Sequence, residues 1–221
     1  MHVKAHLDVD MVALEATDKV SLMLDLTAPI GDAQKSRAGQ AVQVVLDRSG
    51  SMSGDRLQSA KLSLLKLIDR LAPQDSFGLV AFDDQALVIA PMRSISDHDL
   101  PTLKKVIREL NTGGQTDLSA GYLMGLRELS HANTNNGATL FLISDGHANA
   151  GIKDPIELAN IATKHSTTNI TSSTIGIGNG YDEKILEAIA RGGSGQHRFA
   201  YSIDEAIGAI AAEVNDLLEK S

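Results

Sequence analysis

The chain has 221 residues, a length that fits one large domain or one domain with a small appendage. Its formal net charge is -8 and it has no long basic run, which argues against nucleic acid as a partner because phosphate binding depends on clustered Lys and Arg. There is no Cys, so disulfide scaffolds, Cys-based zinc sites and thiol catalysis are excluded.

Residues 1–37 are predicted to form an N-terminal β extension. Apolar and polar residues alternate in two stretches, Val3–Val9 and Val20–Leu26, and a period of two indicates half-buried strands. We expect these strands to pair as a β-hairpin around Ala16–Asp18. The segment 29–39 is rich in turn-forming residues and predicts an irregular connection.

Residues 38–221 alternate between short apolar runs, typical of buried parallel strands, and helical spacing of apolar residues. The strand at 86–90 follows its predecessor too closely for a crossover helix, so it is predicted to be antiparallel. The pattern predicts an α/β domain with a Rossmann-like, doubly wound, mostly parallel sheet and one antiparallel edge strand. Strands are predicted at 42–46, 77–82, 86–90, 139–143, 170–177 and 197–200, and helices at 57–71, 103–110, 118–130, from 154, at 182–190 and at 203–217.

Location is predicted from apolar runs. The segment Met1–Asp8 lacks the apolar stretch of a signal peptide, and no stretch of the chain approaches the ~20 apolar residues of a membrane helix. We therefore expect no membrane segment in this chain and a cytoplasmic location.

Polar residues lie at predicted strand ends or helix starts, where a doubly wound sheet binds its ligands. Asp47, Ser49 and Ser51 follow the strand 42–46 at a spacing of two, so their side chains can converge in a tight turn. A carboxylate and two hydroxyls are hard oxygen donors that suit Mg²⁺ or Mn²⁺, and not Zn²⁺ or copper. Because Mg²⁺ prefers about six oxygens, residues of other loops are expected to complete the shell.

These residues resemble the metal-ion-dependent adhesion site (MIDAS) of the von Willebrand A family, whose pattern is Asp-x-Ser-x-Ser followed by a distant Thr and a distant Asp. The resemblance extends over residues 40–218. The sequence around the motif is similar to the bacterial branch of the family, which often carries a β extension before the domain. In this sequence the pattern is formed by Asp47, Ser49, Ser51, Thr116 and Asp145.

The resemblance implies one bound ion, Mg²⁺ or Mn²⁺, with Ca²⁺ less expected. Ser49, Ser51 and Thr116 would bind it directly, and Asp47 and Asp145 would bind it directly or through water. With few direct carboxylates the ion keeps net positive charge, so an Asp or Glu carboxylate of a partner protein would complete its shell. The implied function is a metal-dependent protein-interaction module without catalysis.

Two alternatives stay open at this stage, a metal-dependent phosphate-ester hydrolase and a structural domain with a vestigial metal site. A hydrolase needs a base beside its nucleophile, and only His147 comes loosely near Ser49 and Ser51 in the predicted arrangement. The spacing Gly176-x-Gly178-x-Gly180 imitates a dinucleotide fingerprint, but Tyr181 stands where the last Gly is required, so a tight turn is predicted.

Four further residues, which lie near the five predicted ligands in the sequence or at another strand end, are not predicted to bind the ion. Arg48 is expected to be solvated, although it lies where it could meet an acidic ligand. Asp83 and Asp84 follow another strand end and are considered as supporting residues around the metal ligands. His147 is expected to be an exposed loop histidine.

Overall fold

The computed structural model describes residues 2–7, 21–27, 39–132, 137–145, 148–178, 183–201, 205 and 208. The chain divides into two compact units, Met1–Arg37 and Ala38–Ser221. Among the helices that fall in the described ranges, none is both long and apolar enough to cross a membrane.

The N-terminal unit contains a two-stranded antiparallel sheet. Strand β1 (His2–Leu7) pairs with β2 (Leu22–Thr27), and Leu7 lies opposite Leu22. The hairpin prediction is confirmed, but the expected burial is wrong, since Leu7 is 61% and Leu22 59% exposed. Alternation decides which side chains share a face of a strand, whereas burial also requires a layer packed on that face. The predicted turn at 16–18 lies outside the described residues.

The second unit is built on a six-stranded sheet in the order β5-β4-β3-β6-β7-β8. All neighbouring strands are parallel except β4 and β5, which confirms the predicted antiparallel edge strand. The strands are β3 (Ala41–Asp47), β4 (Ser76–Phe82), β5 (Ala86–Ser94), β6 (Ala138–Ser144), β7 (Ile170–Ile177) and β8 (Ser194–Ala200).

Five helices connect these strands: α1 (Asp55–Arg70), α2 (Leu100–Glu109), α3 (Leu118–Leu129), α4 (Pro155–Ser166) and α5 (Glu183–Gly192). Three of them begin after an Asp whose carboxylate accepts a backbone N–H of the first turn, the usual N-cap arrangement. Pro155 occupies the first position of α4, where its missing N–H has no partner to lose. The predicted closing helix at 203–217 falls on residues outside the described part, apart from Glu205 and Gly208.

The sheet is covered on both faces. The consecutive residues Val44 and Val45 of β3 point to opposite faces of the sheet. Val44 belongs to the hydrophobic cluster that includes α1 and α2, and Val45 belongs to the cluster that includes α3, α4 and α5. This two-sided burial explains why β3 and β6 are nearly continuous apolar runs, interrupted by Gln43 and Thr139, and not alternating ones.

β3 and β6 lie side by side at the centre of the sheet. From β3 the chain runs through α1 to β4 on one side, and after β5, α2 and α3 it enters β6 on the other side. The carboxyl ends of β3 and β6 are therefore a topological switch point, the usual ligand position in an open α/β sheet. Asp47 ends β3 and Ser144 ends β6, so the predicted metal-binding loops with Asp47 and with Asp145 both start at this switch point.

Candidate metal site

Asp47 is fully buried and accepts two hydrogen bonds. The N–H of Ser49 donates to its Oδ1 at 2.8 Å, and the hydroxyl of Ser144 donates to its Oδ2 at 2.6 Å. Burial raises the pKa of Asp47 to about 6; the hydrogen bonds from Ser144 and Ser49 oppose this in part, and the nearby charge of Asp145 adds to it. Among the residues that the structure describes, no Lys or Arg forms an ion pair with Asp47. Within the described part of the chain, this carboxylate therefore has hydrogen-bond donors but no cationic ion-pair partner.

The hydroxyls of Ser49 and Ser51 lie 3.0 Å apart. Ser49 is buried and Ser51 is exposed, so this pair runs from the interior to the surface. Between them the chain turns tightly, because the Ser49 carbonyl accepts the N–H of Met52 at 3.0 Å and starts a short 3-10 helix, Gly50–Met52. The turn brings the two side chains together, as the spacing of two predicts.

Thr116 is buried and is bound to the loop that follows β6. Its N–H donates to Oδ1 of Asn149 at 2.8 Å, and its carbonyl accepts the N–H groups of Asn149 at 3.1 Å and Ala150 at 3.2 Å. Asn149 comes shortly after Asp145 in the chain. These bonds hold the Thr116 segment against the loop that carries the second predicted carboxylate.

Asp145 is buried and forms an ion pair with Arg56, in the first turn of α1. Nη1 of Arg56 lies 3.0 Å from Oδ2 of Asp145 and also donates to the Ser51 carbonyl at 3.0 Å. Sequence analysis missed Arg56. A signal was present, since a cation in the first turn of a helix is disfavoured by the helix dipole and is better explained by a specific acidic partner.

Arg48 is not the solvated side chain that was expected. Its Nη2 lies 2.6 Å from Oδ2 of Asp83, and only 22% of the side chain is exposed. A Cβ added at Gly113 would lie 1.8 Å from the same Asp83 oxygen, so only Gly fits there. Asp83 thus supports the Thr116 segment, whereas Asp84 is exposed beside Gly114.

Backbone hydrogen bonds join the segments directly. Gly50 N–H donates to the Gly114 carbonyl at 3.0 Å, Gly113 N–H to the Arg48 carbonyl at 2.7 Å, and Asp117 N–H to the Asp83 carbonyl at 2.7 Å. The loop that carries Asp47 is therefore bonded to the loop that carries Thr116, which is also bonded to Asp83 and, through Asn149, to the segment that follows β6.

The five predicted ligands differ in how they are connected. Ser49 contacts both Asp47 and Ser51, Asp145 reaches the Ser51 carbonyl through Arg56, and Thr116 is connected through neighbouring loop residues. Within the described ranges no three His, Asp or Glu side chains form a metal-binding group, and the five ligands include only two carboxylates. Coordination of one ion by all five stays a prediction. His147 lies outside the described residues.

The family model of the von Willebrand factor type A domain matches residues 42–213 of this chain. The chain belongs to this family. The α/β sheet and the position of the Asp-x-Ser-x-Ser segment at the end of β3 agree with the resemblance noted from the sequence.

Two bacterial relatives illustrate this membership of the von Willebrand factor type A family. The protein sll0103 of Synechocystis sp. is 30% identical over 164 residues, which are 74% of this chain and 38% of that protein. YfbK of Escherichia coli is 28% identical over 200 residues, which are 89% of this chain and 34% of that protein. The chain thus spans little more than a third of the length of these relatives.

Solved structures show the same fold. A von Willebrand factor type A protein from Catenulispora acidiphila superimposes with a TM-score of 0.71 at 19% identity, covering 90% of this chain and 45% of that chain. Proximal thread matrix protein 1 from the mussel byssus, in a structure with a zinc-occupied MIDAS motif, has a TM-score of 0.63 at 20% identity, covering 80% of this chain and 45% of that chain.

Proposed function

We propose that this chain is a divalent-metal-dependent protein-interaction domain. Asp47, Ser49, Ser51, Thr116 and Asp145 would hold one Mg²⁺ or Mn²⁺ ion, and the ion would bind an Asp or Glu carboxylate of a partner protein. Membership of the von Willebrand factor type A family supports a metal-dependent interaction domain. The observation that carries the proposal is a pair of buried carboxylates beside buried hydroxyls, at the switch point of the sheet.

The donor set fits a hard divalent cation. Asp47 is buried without a cationic partner among the described residues, and a buried charge is costly unless it is paired or bound to a metal. The hydroxyls and carboxylates are oxygen donors, which favour Mg²⁺ or Mn²⁺ over Zn²⁺, although the mussel protein holds zinc at its own MIDAS motif. Ca²⁺ is less expected because it takes more oxygen ligands than this set supplies.

The exposed side of the site is suited to an incoming ligand. Ser51 is exposed while Asp47 and Asp145 are buried, so an oxygen ligand of a partner would approach the ion from the side of Ser51. A carboxylate is the protein group that best completes the shell of a cation with few direct anionic ligands, because the contact is charge-assisted. The loaded domain would therefore recognise an acidic residue on a partner.

Catalysis is not part of the proposal. Within the described part of the chain, the Ser49 hydroxyl contacts the Ser51 hydroxyl and the Asp47 carboxylate, and no His or Lys contacts it, so the proposal gives neither Ser the role of a nucleophile. We also propose that residues 38–221 carry this function as one domain and that residues 1–37 are an extension of it. The cytoplasmic location stays a prediction.

Thermal unfolding with chelator, Mg²⁺, Mn²⁺ or Ca²⁺ tests the metal site. At 100 times its dissociation constant an ion stabilises the native state by about 2.7 kcal/mol, which raises the midpoint by several degrees. We expect this rise in the wild-type chain and not in Asp47→Ala. Asp97→Ala is the matched control, because Asp97 is exposed and follows β5 at the opposite edge of the sheet.

The interaction is tested with Mg²⁺ present, by titrating the protein with an Asp-containing peptide and with the same peptide carrying Asn. The proposal requires binding of the acidic peptide that chelator abolishes and that Asp47→Ala lacks. Equal binding of both peptides, or binding that survives chelator, would contradict the metal-bridged mechanism.

A further inference from the structure

Arg56 contacts three segments at the carboxyl edge of the sheet, and 32% of its side chain stays exposed. Its Nη1 contacts the Asp145 carboxylate and the Ser51 carbonyl, both at 3.0 Å. Behind it, Gly178 follows β7 with a φ of 86°, and a Cβ there would lie 2.5 Å from Nε of Arg56. Two of the three contacts are to predicted metal loops, and the third is a Gly that leaves room for the guanidinium.

The formal charges around this residue decide its effect. Asp47 and Asp145 each carry one negative charge when ionised, Arg56 carries one positive charge, and the neighbouring Arg48 and Asp83 neutralise each other. Without an ion the three groups leave one net negative charge. With a divalent ion they leave one net positive charge, which is the charge that a single carboxylate neutralises.

We infer that Arg56 is a specificity-determining residue of the proposed site, weakening the binding of the ion alone and favouring its binding together with an acidic ligand. The inference rests on the proposed function. Nη1 of Arg56 is hydrogen-bonded to Oδ2 of Asp145, so a cation that binds Asp145 competes with Arg56 for this oxygen and is also repelled by its positive charge. After loading, the same positive charge attracts the partner's carboxylate.

Metal and carboxylate binding are therefore coupled. By linkage, whatever the ligand gains from the presence of the ion, the ion gains from the presence of the ligand. A neutral residue at position 56 would leave the loaded site with no formal charge, so it would bind the ion more tightly and the carboxylate less tightly. Arg56 thus makes the site selective for the pair of ligands over the ion alone.

The test is calorimetric titration of Mn²⁺ and Mg²⁺, each with and without acetate as the carboxylate probe. Wild type is compared with Arg56→Gln, with Arg56→Lys, which keeps the charge, and with Arg70→Gln, which removes an exposed charge at the far end of α1. We expect Arg56→Gln to bind the ion alone at least about threefold more tightly and to lose most of the gain produced by acetate. Arg56→Lys and Arg70→Gln should behave like wild type.

Equal or weaker metal binding by Arg56→Gln, with wild-type stability in chelator, would overturn the inference and leave Arg56 as a structural contact while the proposed function stands. If Arg56→Gln does not fold, the result with Arg56→Lys tests the inference. This variant keeps the positive charge, so loss of the gain in metal affinity that acetate produces would contradict the charge argument. Failure of wild type to bind either ion, with or without acetate, overturns the proposed function itself.

Discussion

Replacing Asp47 by Asn removes a buried negative charge and keeps the size of the side chain. The pKa of Asp47 lies at about 6, raised by burial from an ordinary value of 3.8. The folded chain therefore holds this proton more tightly than the unfolded chain, and the free energy of unfolding falls as the pH rises from 3.8 to about 6. A difference of about 2 in pKa corresponds to about 3 kcal/mol.

Without metal, Asp47→Asn should thus be more stable than wild type at pH 7, by up to about 3 kcal/mol. For a domain of this size that gain corresponds to roughly 6–12 °C in the unfolding midpoint. The difference should shrink as the pH falls through about 6 and become small near pH 4, since the carboxyl is protonated in both states only below the ordinary pKa of 3.8. With saturating Mg²⁺ only wild type should gain stability.

The assay is thermal unfolding of both chains in chelator at pH values from 4 to 7.5. The quantity to compare is the difference between wild type and variant, because other carboxylates titrate in both chains and cancel. Asp97→Asn serves as the control for loss of an exposed carboxylate. A difference that does not change with pH, or a variant that is less stable than wild type at pH 7 in chelator, would refute the reasoning.

Three further predictions concern the same loops. Mn²⁺ affinity, measured by titration, should fall as the pH drops through about 6, because a proton then competes with the ion for Asp47. Asn149→Ala should weaken metal binding by about 1 kcal/mol, roughly fivefold, since it removes the acceptor of the Thr116 N–H. Gly113→Ala should destabilise the domain by about 2 kcal/mol in urea unfolding, because its Cβ would overlap the Asp83 carboxylate.

Each of these has its own control. Affinity for Mn²⁺ that is unchanged between pH 5 and pH 7.5 would contradict the first. Asn160→Ala, at an exposed position on α4, should leave metal affinity unchanged, and an equal loss there would contradict the second. Gly50→Ala has only ordinary contacts, the nearest at 3.6 Å, so it should be near neutral; equal effects at Gly50 and Gly113 would contradict the third.

The order and type of the elements in the second unit could be predicted from sequence because its strands are buried on both faces. A run such as 42–46, in which Gln43 is the one polar residue, is typical of a strand covered on both faces, and the helices repeat their apolar residues on one face. The hairpin β1–β2 shows the limit of this reasoning. Its alternation predicts pairing correctly, but burial depends on a packing layer that local pattern does not reveal.

Around the candidate site, sequence reasoning could find residues that share a motif and missed those that act across the chain. Arg56 pairs with Asp145, 89 positions away, and Ser144 donates to Asp47, 97 positions away. Neither pair has a local pattern. Arg48 was misjudged for a related reason, since its partner Asp83 follows the next strand, β4, and becomes its neighbour only because β3 and β4 are paired in parallel.

The linked loops also bear on what an ion would do to this domain. The N–H groups of Gly50 and Gly113 bond the Asp47 loop to the Thr116 loop, and Asn149 bonds the Thr116 loop to the segment after β6, so protein groups alone join these loops. In small metal-dependent folds the unfolded state lacks the site, so metal binding is folding free energy. Here the large core on both faces of the sheet and the bonds between the loops consist of protein groups only. Removal of the ion should therefore change the charge of the site and leave the fold in place. We therefore expect the proposed metal and acidic ligand to change each other's affinity without unfolding the domain.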